Sequence, residues 1–94
     1  MIIQGSNGVQ LNLFIMDKGK FVDISGSVVT ITLKTGPKEI LKTSTIEGNG
    51  LVSTILSSDD LAYAGKYYVQ ATVSYTDGRL FYSEEGSFIV GPKL

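Results

Sequence analysis

Asp59 and Asp60 are the first acidic pair in this 94-residue chain with a spacing that could do chemistry. Adjacent carboxylates could contribute oxygen ligands to a calcium site, because hard cations need clustered oxygens. No third carboxylate follows at a useful spacing, however, and Ser57 lies at capping-box distance from Asp60. The pattern therefore favours a structural role, in which Ser57 and Asp60 cap one helical turn over Leu61.

Glu84 and Glu85 form the second pair and could serve as a general acid and base. The glycine that follows, Gly86, indicates instead a strand break or bulge that releases both side chains to solvent. The segment Gly48-Asn49-Gly50 is too short for a phosphate-binding loop and predicts a hairpin turn.

Histidine and cysteine are absent from the chain, so the usual general base, thiol nucleophile, common zinc ligands and disulfides are missing. No motif activates a serine or a carboxylate, and we therefore expect no enzyme activity, no cofactor and no metal. Eight basic and nine acidic residues give a net charge of −1, which provides no electrostatic basis for nucleic-acid binding. No long apolar run indicates membrane insertion or a signal peptide, and the missing cysteines favour synthesis in the cytoplasm.

Aromatic residues are the remaining candidates for a functional surface. Phe14, Tyr68 and Phe81 fall at positions that the strand patterns place on outward faces, whereas Tyr82 is predicted to lie in the core. Two interpretations of the outward rings stay open: scattered surface apolar residues, or a protein-contact surface enriched in aromatics. Together with Tyr63, these rings also allow carbohydrate binding, because aromatic faces stack on sugars.

The elements that position these residues are strands. Valine, isoleucine and threonine make up 25 of the 94 residues and alanine only three, a composition that favours strands over helices. Apolar patterns predict strands over residues 9–16, 29–34, 51–56, 66–76 and 87–90, with a short extended piece over 21–24 and a weaker edge strand over 38–46. Asp77-Gly78 predicts a two-residue hairpin, whose register would place Tyr82 inward and Phe81 outward opposite Ser74. Six or seven strands at this spacing indicate a single sandwich or barrel domain.

One local motif narrows the fold. The segment Gly65-Lys66-Tyr67-Tyr68-Val69, with Leu61 upstream, resembles the start of strand F in immunoglobulin-like domains. In those domains a corner tyrosine sends its hydroxyl back to upstream backbone, and Tyr67 occupies that position here. The resemblance implies an all-β, immunoglobulin-like antiparallel sandwich of about seven strands over residues 1–94, without a disulfide.

The order of motifs along the chain resembles the immunoglobulin-like N-terminal domain of tailed-phage baseplate upper proteins and similar short phage proteins. The segments that carry the resemblance are residues 9–16, 21–26, 28–34, 50–52, 59–61, 64–67, 77–78 and 88–90. The resemblance implies a non-catalytic virion protein of the baseplate, tail or capsid that contacts other virion proteins in a symmetric assembly. The alternative is a module that binds carbohydrate or a cell surface, including a host-surface glycan.

Overall fold

The computed structural model describes all 94 residues and contains eleven strands and no helix. No segment therefore forms a helix that could cross a membrane. The strands are β1 (Ile2–Ile3), β2 (Val9–Phe14), β3 (Met16–Asp17), β4 (Lys20–Phe21), β5 (Ser27–Thr35), β6 (Lys38–Thr43), β7 (Thr45–Gly48), β8 (Leu51–Leu56), β9 (Gly65–Tyr75), β10 (Leu80–Tyr82) and β11 (Gly86–Gly91).

The strands form two main sheets and a small hairpin. The larger sheet has the order β1-β11-β9-β5-β6, with β10 also paired to β9. The smaller sheet has the order β2-β8-β7, and β3 pairs only with β4. All neighbours are antiparallel except β1 and β11, which run parallel.

Both main sheets contribute to one core of thirteen buried hydrophobic residues. The inward positions of β9 and β5 alternate with exposed or half-buried positions, as the period of two predicts. Val52 and Leu56 of β8 enter the same cluster from the smaller sheet. The two sheets therefore pack face to face as a β-sandwich, and the all-β prediction is confirmed.

The weak pattern over residues 38–46 belongs to two edge strands. β6 ends at Thr43 on the edge of the larger sheet, and β7 begins at Thr45 on the edge of the smaller sheet. Ser44 lies at the crossing, where its Oγ donates a hydrogen bond to the carbonyl of Val29 at 2.6 Å. The mixed facing of this segment follows from its change of sheet.

The hairpin between β9 and β10 differs from the sequence prediction by one residue. The backbone amide of Tyr75 donates a hydrogen bond to the carbonyl of Arg79 across the turn, so the loop has three residues and not two. Its last residue, Gly78, has a φ of 93°, as a type I turn with a glycine bulge requires. One extra loop residue shifts the register by one and reverses the face of each side chain on β10.

The prediction for Phe81 and Tyr82 is therefore wrong. Phe81 pairs with Val73 and packs against the core, and it does not lie outward opposite Ser74. Tyr82 pairs with Thr72 and is exposed, so it is not a core residue.

A bulge at Glu84 and Glu85 shifts the register back. β10 pairs with β9 in one register up to Tyr82, and β11 pairs in a register one residue later, beginning at Gly86 opposite Val69. Both glutamates are exposed, as the predicted strand break requires. This second shift returns Phe88 to a position opposite Tyr67, where the two rings stack with centroids 5.2 Å apart.

Candidate functional site

Asp60 is fully engaged in structural contacts. The backbone amide of Ser57 donates to its carboxylate at 2.9 Å, and the Asp60 amide donates to the Ser57 hydroxyl at 3.3 Å. This reciprocal pair is the predicted capping arrangement, and it closes a single turn between β8 and β9. Lys42 Nζ adds an ion pair at 2.8 Å. Burial acts to raise the pKa of Asp60, but the bonds from Lys42 and Ser57 outweigh it and leave that pKa below its usual value.

The second acidic pair and the predicted hairpin turn lie apart in the structure. Glu84 and Glu85 point to solvent from the bulge, and no three histidine, cysteine, aspartate or glutamate side chains cluster anywhere in the structure. Asn49 lies in the hairpin between β7 and β8, as predicted. Gly50 in that hairpin has a φ of 73°, and a Cβ there would lie 3.0 Å from the Phe21 side chain.

Tyr67 occupies the predicted corner position. Its side chain is fully buried, and its hydroxyl donates to the carbonyl of Tyr63 at 2.7 Å. Burial raises the pKa of the Tyr67 phenol, and the nearby negative charge of Asp60 acts in the same direction. This bond fixes the connection between the capped turn and β9.

The outer face of the larger sheet carries the most extensive set of exposed apolar side chains. We call this surface the outer face; its large apolar residues are Val28, Leu41, Tyr68, Leu80, Tyr82 and Ile89, each between 42% and 68% exposed. They come from five strands, and the register places them on the side opposite the core.

Uncharged side chains fill most of the space between these residues on the outer face. Thr30 lies opposite Thr72, and Thr32 lies opposite Gln70. Charged residues collect at one end, where Lys34 pairs with Glu39 and the ammonium of Lys66 lies 5.2 Å from the centroid of the Tyr68 ring. The Glu85 side chain also borders this face beside Thr32 and Gln70. Most of the rest of the face is uncharged, a property typical of the centre of a protein interface.

The structure separates the three residues predicted to form a contact surface. Tyr68 lies on the outer face and is 42% exposed. Phe14 is exposed on the opposite side of the sandwich, where its ring centroid lies 5.8 Å from that of Phe21. Phe81 faces the core. Leu80 and Tyr82 lie on the outer face instead. The sequence pattern placed both on the inward face, because the predicted hairpin loop was one residue too short.

A cleft of about 530 Å³ opens at one end of the sandwich, between the β5–β6 turn and the start of β9. The exposed ring of Tyr63 lines it, with Lys38 Nζ 5.2 Å from the ring centroid. The same ammonium donates to the carbonyl of Asp59 at 2.8 Å. The cleft thus presents one aromatic face and a positive charge that is already hydrogen-bonded.

Comparisons with known proteins show a likeness of fold and no family. No family model matches the chain, and no curated protein matches it. Among solved structures, it is similar to a protein from Bacteroides vulgatus ATCC 8482 that is described as "a putative glycoside hydrolase". The match has 16% identity and a TM-score of 0.57, and it covers 93% of this chain. The chain spans only 15% of the length of that protein.

Proposed function

We propose that the sandwich is immunoglobulin-like. The pairing order supports this: β2-β8-β7 corresponds to strands B, E and D, and the order β11-β9-β5-β6 corresponds to G, F, C and C′ of that fold. The hydrogen bond of Tyr67 at the connection into β9 is the second support, because a tyrosine corner lies at the same place in immunoglobulin-like domains.

We further propose that the protein is a non-catalytic structural or adaptor component of a tailed-phage virion, in the baseplate, tail or capsid. The observation that carries this proposal is the outer face, which exposes six large apolar side chains across a largely neutral sheet. Burying one such side chain against a neighbour is worth about 1.5–3 kcal/mol when burial is complete. A subunit that is always assembled keeps these side chains covered, and the phage resemblance of the sequence indicates a virion as that assembly.

The dimensions of the outer face agree with this use. β10 and β11 follow one another along the same side of β9, so the outer face is four strands wide. Strands lie about 4.8 Å apart and rise about 3.3 Å per residue, which gives a surface on the order of 600 Å². Specific interfaces bury about 800 Å² on each partner. The outer face therefore has the area of a small specific contact, for which each partner buries about 600 Å².

Occupancy in assembled particles tests the proposal. Particles purified from cells that produce the chain are probed by immunoelectron microscopy with an antibody against the domain. We expect labelled particles for the parent and for Asn49→Ser, a matched change in a hairpin away from the outer face. Tyr82→Ser should remain folded and lose most of its occupancy. Unlabelled particles would refute the virion assignment, and full occupancy of Tyr82→Ser would refute the role of the outer face.

Carbohydrate binding is the second candidate, because the exposed Tyr63 ring lines the cleft at the end of the sandwich. The similarity to part of a protein described as a glycoside hydrolase is compatible with it. A glycan array with the parent, Tyr63→Ala and Tyr68→Ala distinguishes the two functions. Specific binding that only Tyr63→Ala abolishes would support the carbohydrate candidate, whereas no binding by the parent would leave protein contact as the function.

A further inference from the structure

The outer edges of the two main sheets differ in how they are protected from pairing with another chain. Edge strands are usually blocked by charges, bulges or short length. β6 carries Lys38, Glu39 and Lys42, β7 carries Glu47 and a bulge, and β1 and β10 have only two and three residues. β2, with the sequence VQLNLF, is six residues long and has no charge, proline or bulge.

The backbone of β2 has free hydrogen-bonding groups along its open side. The amide of Ile15 donates to the carbonyl of Gly50 at 2.6 Å and extends the β2–β8 ladder. Antiparallel bonding alternates along a strand, so the odd-numbered residues of β2 bond to β8. The amides and carbonyls of Gln10, Asn12 and Phe14 consequently point away from β8, where no strand follows.

The inward side chains of β2 are also incompletely covered. Val9, Leu11 and Leu13 pack against the core but are only half-buried, whereas Val52 and Leu56 on the neighbouring β8 are fully buried. The half-buried side chains of Val9, Leu11 and Leu13 therefore form an apolar margin of the core, which a further strand beside β2 would cover.

We propose that β2 pairs with β2 of a second copy of this chain, antiparallel about a two-fold axis at Asn12. In this register Gln10 lies opposite the partner's Phe14 and Asn12 lies opposite the partner's Asn12, so all of the free amides and carbonyls are bonded. Leu11 lies opposite the partner's Leu13 on the inward side. The two smaller sheets become one continuous sheet, and the two apolar margins cover each other.

The sequence of β2 favours a second copy as the occupant. A two-fold axis at Asn12 aligns odd positions with odd positions, so apolar inward residues meet apolar residues and outward residues meet outward residues. Because β2 carries no charge, the close approach of two identical edges produces no like-charge repulsion along the strand. The pairing is independent of the outer face and of the proposed function.

Sedimentation velocity of the parent and two variants over a wide concentration range tests the pairing. Asn12→Pro removes an amide that is unbonded in the monomer and central to the dimer, so a folded monomer is compatible with it. Asn12→Thr is the matched control, because it keeps the amide. We expect a dimer for the parent and for Asn12→Thr, and at least a tenfold weaker dimer for Asn12→Pro. A parent that stays monomeric, or an Asn12→Pro variant that dimerises like the parent, would overturn the proposal.

Hydrogen exchange on the parent keeps the test decisive if Asn12→Pro does not fold. The amides of Leu11 and Leu13 should be protected at every concentration, because they bond within the monomer. The amides of Gln10, Asn12 and Phe14 should gain protection only as the concentration rises. Exchange of these three amides that is independent of concentration would overturn the pairing. Tyr82→Ser should dimerise like the parent, which separates this edge from the outer face.

Discussion

Replacing Tyr67 with phenylalanine isolates one hydroxyl group in the core. The ring stacks on Phe88 and is fully buried, and phenylalanine keeps both properties. What is lost is the 2.7 Å hydrogen bond to the carbonyl of Tyr63. A neutral hydrogen bond contributes about 0.5–1.5 kcal/mol. We therefore expect a loss of about 1 kcal/mol, which lowers Tm by roughly 4–8 °C in a domain of this size.

Chemical denaturation of Tyr67→Phe and Tyr68→Phe provides the measurement and its control. The two tyrosines are adjacent, but Tyr68 lies on the outer face and its hydroxyl makes no hydrogen bond within the protein. Tyr68→Phe should change the free energy of unfolding by less than about 0.5 kcal/mol. Equal losses in the two variants would refute the assigned corner bond.

The pH dependence of the same variants gives an independent check. The pKa of Tyr67 in the folded state is raised, chiefly by burial, so the unfolded state loses its proton first as the pH rises. The stability that the neutral phenol contributes is complete below about pH 10 and is lost as the pH rises through the folded pKa. The advantage of the parent over Tyr67→Phe should therefore shrink above pH 10. A constant difference across that range would refute the buried, neutral phenol.

Three further predictions follow from the register, the turn and the capping contact. Phe81→Ser should lower the free energy of unfolding by about 2–3 kcal/mol, because it removes a ring packed on the core. Tyr82→Ser should lower it by under about 0.5 kcal/mol, because Tyr82 is exposed. The denaturation midpoints of the two variants measure the difference. Gly78→Ala should cost about 1 kcal/mol in thermal melting, because alanine is strained at a φ of 93°. Asp60→Asn should cost about 1–2 kcal/mol at pH 7 by loss of the Lys42 ion pair. Because the folded pKa of Asp60 is lowered, that difference should begin to shrink as the pH falls below about 4 and be lost as the pH falls through the folded pKa. Acid titration of unfolding measures it.

The strands with strict alternation could be predicted from the sequence because a period of two fixes both the element and its inward face. β5 and β9 have the predicted faces, and the corner bond of Tyr67 and the cap between Ser57 and Asp60 have the predicted partners. These features depend on residues close together in the chain, where backbone geometry leaves few alternatives. The separation of residues 38–46 into two strands was not predictable in this way, because which sheet a strand joins depends on distant partners.

The sequence by itself determined an all-β chain that lacks histidine and cysteine, together with the local turns and caps that end its strands. Only the tertiary structure decided which aromatic residues are exposed. Asp77-Gly78 is compatible with a two-residue or a three-residue loop, and the choice moves Phe81 into the core and Tyr82 out of it. The local sequence carries little information on that choice. The burial of Phe81 against a core built from both sheets favours the longer loop, and the bulge at Glu84 and Glu85 then restores the register that β11 needs to place Phe88 against Tyr67.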